Sequence, residues 1–295
     1  MAGERDHIVD YIVDRAQYYD VLALQEVHCS DEQFTGRFVS VKEPGHRPGP
    51  VDLKLGNRLI ERLKKTHRIT FVPHFKCTAL HDYEATDLPV QYGNMLLVNK
   101  KRVQILRNGV EIIHGNGGLN TERLLREGTD VIGRAAARTA NVVTIMVGKS
   151  VLTIAAVHGL HSRLGKIDTA ARFAQSGQIA RAIASQRSVL KLSRENPATM
   201  VIGDLNYTSS MEALEKLLSD TNAFGIDGGS NLNAEFSITD GRSKWYPADK
   251  PTREAGFVLV SKATRALVAD CTANPRVPSD HAEFDVTLNT SPGTH

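Results

Sequence analysis

The sequence is short of cysteine, of tryptophan and of long apolar runs. Its 295 residues hold three cysteines, Cys29, Cys77 and Cys271. An odd number without CxxC spacing argues against a disulfide framework and against a thiolate zinc site, so a reducing, cytoplasmic compartment is the simpler expectation. No stretch reaches the ~18 apolar residues of a membrane span. Near the start, Asp6, Asp10 and Asp14 interrupt the apolar positions that a secretory leader would need. Aromatic residues make up only 6% of the chain, with one tryptophan, and no aromatic-rich stretch offers a stacking platform for bases. Charge of one sign is lacking too: 36 Lys and Arg against 33 Asp and Glu leave +3. Bulk charge therefore cannot hold a polyanion, and any phosphate has to be gripped locally.

What is present is enough apolar material, 41%, for a buried core, patterned as alternating helices and strands. Ile8, Val9, Ile12 and Ala16 recur at helical spacing and lead into an apolar run, Asp20 to Leu24, that reads as a buried strand. A second helix is expected around Arg58 to Lys65 and a strand at Arg68 to Val72, with the Pro- and Gly-rich Pro44 to Pro50 as a loop between this helix–strand piece and the first. Further strands are expected at Asn94 to Val98, Val142 to Val147 and Val151 to Val157. The last two are joined at Gly148-Lys-Ser150 as a hairpin, and Gly115 to Glu127 reads as an exposed insertion. A long helix is expected from Thr169 to Leu192, then a strand at Met200 to Ile202. Ser209 or Ser210 is placed to cap a helix from Met211 to Leu218. Strands at Phe257 to Val260 and Phe284 to Leu288 complete one domain spanning residues 1–289, with a polar tail over 290–295.

Four polar clusters directly follow apolar runs: Gln25-Glu26, His158-Gly-Leu-His161, Gly203-Asp-Leu-Asn206 and Ser279-Asp-His281. Strand ends project from a rigid sheet into the loops where sites are built. Each cluster alone has a plain alternative: a surface or helix-capping carboxylate for Glu26, an Asx-turn for Gly-Asp-x-Asn, a turn for Ser-Asp-His, a satisfied histidine for His158 or His161. Together they supply carboxylate and amide oxygens suited to a hard divalent cation, and imidazoles able to donate or move protons near neutral pH. They lack the HExxH or clustered thiolates of zinc chemistry.

In order along the chain, Asp20-Val-Leu-Ala-Leu-Gln-Glu26, Tyr92-Gly-Asn-Met-Leu-Leu97, Ala155-Ala-Val-His158, Gly203-Asp-Leu-Asn206 and Ser279-Asp-His281 resemble the endonuclease/exonuclease/phosphatase superfamily over about Asp10 to Leu288. A narrower likeness, to bacterial members, runs through Gly165-Lys-Ile-Asp-Thr169, Arg172 and Gln175. The resemblance implies a four-layer α/β/β/α sandwich with two packed mixed sheets, acting as a Mg²⁺-dependent phosphoesterase, with Mn²⁺ as the other candidate ion. It further implies that Glu26 binds the metal, with Asp280 helping; that Asp204 orients or deprotonates the attacking water; and that Asn206 holds the scissile phosphate. His281 would stabilise charge on a phosphate oxygen, and His158 would sit near the leaving group. Lys166 and Arg172 are the candidates for the local positive field around the substrate, a phosphate ester with DNA or RNA among the candidates. Arg163 reads equally as a solvated helix start.

Two features depart from the family pattern. The strand bearing an Asn that normally precedes the first helix is missing ahead of Asp6. Gly256, in Glu254-Ala-Gly-Phe-Val-Leu-Val260, stands where the family places an Asp that would orient the ring of His281. Glu254 lies two residues away on the same strand face and replaces that Asp only if the backbone shifts. Rival expectations are therefore a relative that keeps the fold and a phosphate-binding cleft with impaired turnover, or a phosphatase of small molecules or lipid headgroups. Trp245-Tyr246 is a candidate wall of the cleft, with loop covering as its commoner role.

Overall fold

The computed structural model describes residues 3–30, 38–41, 49–81, 84–114, 138–160, 166–193, 195, 197–238, 256–274 and 283–289. Several expectations lie outside these residues: His161, Arg163, Trp245, Tyr246, Glu254, Asp280, His281 and the Gly115 to Glu127 insertion.

The chain opens with α1 (Gly3–Tyr18) and β1 (Val21–Ser30), then a small hairpin of β2 (Phe38–Val41) and β3 (Gly49–Asp52), α2 (Leu55–Leu63), and the long antiparallel pair β4 (His67–His81) and β5 (Glu84–Asn99). It continues through β6 (Gln104–His114), β7 (Arg138–Val147), β8 (Ser150–His158), α3 (Ala170–Val189) and β9 (Thr199–Asp204). The short helices α4 (Glu212–Leu218) and α5 (Thr221–Phe224) precede β10 (Gly229–Asn231), α6 (Leu232–Glu235), β11 (Gly256–Ser261), α7 (Lys262–Arg265), β12 (Val268–Asn274) and β13 (Glu283–Leu288). Gly49 and Pro50 pair with Val41 and Ser40, so part of the expected Pro44 to Pro50 loop is strand.

Two sheets face each other. One has the order β1-β5-β4, all antiparallel; the other runs β10-β11-β9-β8-β7-β6, with β8 and β9 parallel and the remaining neighbours antiparallel. The two-residue period of a strand sorts side chains between the layers. Leu96, Val98, Val143, Ile145, Ile154, Met200, Val258 and Val260 form the core between the sheets. Met95 and Leu97 point the other way, under α1 and α2, with Val9, Ile12, Val13, Leu59 and Leu63. Ala140, Val142, Ala155, Val157, Val201, Phe257 and Leu259 pack outward against Ile179 and Ile183 of α3 and against α4 and α5. The layers are thus helix, sheet, sheet, helix: the expected α/β/β/α sandwich.

Among the described residues, β1 has a strand partner on one side only and β13 pairs only with β12. Between them lies a cavity of about 670 Å³, floored by Ile8, Tyr11 and Ile12 of α1 and roofed by Ile145, Ile154, Met200, Ile202 and Val258. A polar clamp spans this gap. Tyr11 Oη and Arg15 Nε donate to Glu283 at 2.6 and 2.9 Å, while Arg15 Nη2 and Tyr19 Oη donate to Asp285 at 2.9 and 2.6 Å.

Helix capping departs from expectation. The N-cap of α4 is Met211, without a side-chain cap of its own. Asp168 takes that role from a distance, accepting the amides of Glu212 and Ala213 at 2.9 Å each. Its neighbour Thr169 caps α3 by accepting from Arg172 N. Two residues of the Gly165-to-Thr169 segment therefore start helices.

Candidate active site

Glu26 sits where β1 is irregular: its register with β5 jumps between Leu24 and Val27, and Glu26 has φ of 59°. A bulge re-aims a side chain out of the sheet, and a left-handed backbone at a non-glycine residue is the kind of strain that collects at functional sites. The carboxylate is 56% exposed, with Oε1 3.9 Å from Nε2 of the buried His158.

His158 ends β8, and in the parallel pairing with β9 it lies opposite Asp204. Gly203, just before Asp204, has φ of +126°, and a Cβ there would come within 2.1 Å of Val157 O and 3.0 Å of Gln25 Nε2. Only glycine lets β9 run this close both to β8 and to the residue before Glu26. Asp204 then turns the chain: its Oδ1 accepts from Asn206 N at 2.7 Å, its carbonyl accepts from Gly159 N at 2.6 Å, and Asn206, at φ 54°, donates from Nδ2 to Gly159 O at 3.2 Å. The Asx-turn geometry and the siting of Asp204 and Asn206 beside His158 are one structure. Glu26, His158, Asp204 and Asn206, distant in sequence, meet at one end of the sandwich.

Four more residues join them. Arg138 opens β7 and is buried, with Nη1 3.0 Å from His74 Nδ1. Arginine only donates, so His74 Nδ1 is the acceptor and its proton sits on Nε2. Burial, then the Arg138 charge, push His74 down to about 3. Burial pulls the Arg138 guanidinium down from its ordinary value, while Tyr92, Glu26 and Asp204 oppose that shift; at neutral pH it stays a cation. Its Nε and His74 Nε2 have no hydrogen-bond partner among the described residues. The rings of His28, Tyr92, His74 and His158 continue as a wall, with centroids 5.1 Å apart for His28–Tyr92, 6.0 Å for His74–Tyr92 and 5.7 Å for His74–His158. Sequence reasoning missed Arg138, His74 and His28. The signal for Arg138 was a basic residue opening an apolar strand whose hairpin partner ends at His158; for His74 it was Pro73, since proline inside a strand marks an irregularity.

The positive field expected from Lys166 and Arg172 is placed differently. Arg172 is 1% exposed, and its guanidinium donates to the carbonyls of Ile167 and Leu160. It ties α3 to the loop after His158. Lys166 is half-buried on the same loop. Gly256 pairs with Asp204 across β9 and β11, and a Cβ on it would meet Phe284 Cε2 at 2.4 Å. An Asp there needs the Phe284 ring to move.

Comparison with known proteins adds to this geometry. The sequence model of the Endonuclease/Exonuclease/phosphatase family matches residues 3–281. The chain belongs to this family. Solved structures with the same fold include a Bacteroides vulgatus endonuclease/exonuclease/phosphatase (TM-score 0.55, 16% identity, covering 96% of this chain and 91% of that one). They also include a Bacteroides thetaiotaomicron mannosyl-6-phosphatase (0.58, 12%, 96% and 91%) and truncated Caenorhabditis elegans TDP2 (0.53, 15%, 95% and 90%). A search of curated proteins found no match. Endonuclease/exonuclease/phosphatase proteins are phosphoester hydrolases, and that is the class of chemistry in which the site is read.

A divalent cation fits the residues present. The exposed carboxylate of Glu26 is an oxygen donor of the kind a hard ion accepts. Among the described residues, no group of three or more His, Cys, Asp or Glu clusters as a complete metal site.

Proposed function

We propose that the chain hydrolyses a phosphodiester by in-line attack of water, assisted by Mg²⁺ or Mn²⁺. The observation that carries this reading is the meeting, at one end of two packed sheets, of an exposed strained carboxylate, the Asp204–Asn206 turn, a buried histidine and a buried arginine. Glu26 would hold the cation, with Asp280 assisting; the bound ion supplies charge neutralisation on the non-bridging oxygens. Asp204 orients the water and takes its proton. Asn206 and Arg138 grip the phosphate: a preorganised guanidinium in a water-poor site stabilises developing charge without rearranging. His158 lies on the Glu26 side and donates toward the leaving group, while His281 stabilises the phosphate oxygens. Arg172 acts on the loop rather than on substrate, and Lys166 on that loop would meet a substrate's distal charge. A cytoplasmic enzyme acting on DNA or RNA is the substrate reading, with Arg138 and the ring wall in place of a basic surface.

The second reading, impaired turnover, is favoured by Gly256, where the Phe284 ring occupies the space an orienting carboxylate would need. One experiment separates the two: hydrolysis of bis-p-nitrophenyl phosphate with Mg²⁺ or Mn²⁺, against EDTA and against Asp204→Ala. The proposal expects turnover that chelation and the substitution each abolish. Turnover surviving both would remove the site from the reaction, and none in the wild type would favour the impaired relative.

A further inference from the structure

Gln175 of α3 is fully buried, yet it is polar at both ends and each end is spent on a different site loop. Its Oε1 accepts from Leu160 N at 2.7 Å, and its Nε2 donates to Tyr207 Oη at 3.1 Å. The backbone amide can only donate, which fixes the orientation of the side-chain amide and leaves its nitrogen for the tyrosine. Tyr207, itself fully buried, donates from its hydroxyl to Arg172 O at 3.0 Å. Leu160 lies two residues beyond His158, and Tyr207 is the residue after Asn206. The two loops also touch directly: a Cβ on Gly159 would meet Leu205 O at 2.1 Å and Gln175 Nε2 at 3.0 Å.

We propose that Gln175 is a positioning residue that sets the His158 loop and the Asp204–Asn206 turn relative to each other, with Tyr207 as its second contact. Gly159 bonds both Asp204 and Asn206, so a displaced Leu160 moves the carbonyl that Asn206 holds. Misplacing a group by about 1 Å can cost on the order of 10²-fold in rate, and loss of an outer hydrogen-bonding partner about 10 to 100-fold. This inference rests on the phosphoesterase reading for its kinetic consequence, whereas the coupling between the loops stands on the bonds alone.

The test uses Tyr207→Phe, which removes only the hydroxyl, and Gln175→Leu, which removes both bonds at similar size. Amide hydrogen exchange at Leu160 and the kinetics of bis-p-nitrophenyl phosphate hydrolysis are measured alongside thermal melting. Tyr207→Phe is expected to fold with a near-native melting temperature, to speed exchange at Leu160 severalfold although the substitution lies 47 positions away, and to lower kcat about tenfold with KM little changed. Gln175→Leu is expected to lower kcat about 10 to 100-fold, again with the larger effect on kcat. Unchanged Leu160 exchange in Tyr207→Phe overturns the coupling, and faster exchange with unchanged kcat overturns the positioning role. A wild type without hydrolysis removes the phosphoesterase reading and the kinetic role with it, and leaves the exchange measurement to decide the coupling.

Discussion

Glu26 holds a backbone conformation that L-residues adopt at a cost of about 1–2 kcal/mol, the kind of strain that collects at functional sites. Glu26→Gly is expected to leave stability unchanged or raise it by about 0.5–1 kcal/mol while abolishing hydrolysis, readable by chemical denaturation and a rate assay on one preparation. Arg138 carries a buried positive charge facing Glu26 and Asp204. Arg138→Met keeps the stem and removes the charge; a loss of at least 10²-fold in kcat/KM is expected, about 2.7 kcal/mol of transition-state stabilisation. His74 is neutral in the fold because its pKa sits near 3, against about 6.5 in an unfolded chain. It faces Arg138 of β7, Tyr92 of β5 and His158 of β8. Between pH 6.5 and 3 the unfolded chain binds a proton that the folded chain refuses, so the stability present above 6.5 declines as pH falls, by about 1.4 kcal/mol per pH unit for that proton. His74→Leu should flatten the pH dependence of unfolding in that window by about one proton; an unchanged slope would show that His74 charges freely in the fold. At this scale Glu26, His158, Asp204 and Asn206 stand out in the sequence because each closely follows an apolar run; in the fold His158 and Asp204 end their strands, whereas Glu26 lies at a bulge within β1. It did not announce that Arg172 turns inward, since a basic residue near a helix start looks the same whether it meets solvent or two carbonyls.

The strands and helices show how far periodicity reaches. The hairpin of β7 and β8 was legible from two apolar runs around Gly148, and its register pairs Val147 with Ser150. α3 was legible too, but its buried face carries Arg172, Gln175, Ser176, Gln186 and Arg187 beside Ile179 and Ile183. Polar residues on a buried face break the pattern that hydrophobic spacing reads, because they are satisfied by carbonyls of the flanking loops, as for Arg172 and Arg187, or by side chains distant in sequence, as for Gln175 with Tyr207 and Gln186 with Arg107. β4 and β5 extend well past the apolar segments that suggested them, and β6 has no unbroken apolar run, so pattern alone could not set their ends. Sequence spacing puts the cap of α4 at Ser209 or Ser210, whereas Asp168 supplies it from across the fold. Asp168→Ala removes acceptors for two amides and is expected to cost about 1 kcal/mol, at the scale of an N-cap, while Ser210→Ala should cost a few tenths. Equal losses from the two substitutions would contradict this assignment.

Taken whole, the sandwich brings strand ends from both halves of the chain to one edge, and this long-range convergence is what a linear reading anticipates only through the order of motifs. The β12–β13 pair packs Cys271, Phe284, Val286 and Leu288 against the core between the sheets and is further held by the bonds of Tyr11, Arg15 and Tyr19 to Glu283 and Asp285. Arg15→Met leaves two carboxylates without their cation; a loss of about 2–3 kcal/mol is expected, with β12 and β13 amides exchanging sooner than those of β7 and β8. The central claim concerns the other end of the same gap, where Glu26 is held to be a metal-binding carboxylate. Its most direct measurement is the Mg²⁺ concentration dependence of phosphodiester hydrolysis by the wild type and by Glu26→Gln. The account predicts that the Gln variant needs at least tenfold more Mg²⁺ for half its maximal rate, or stays inactive at any concentration. An identical Mg²⁺ requirement and rate in the two proteins would contradict it.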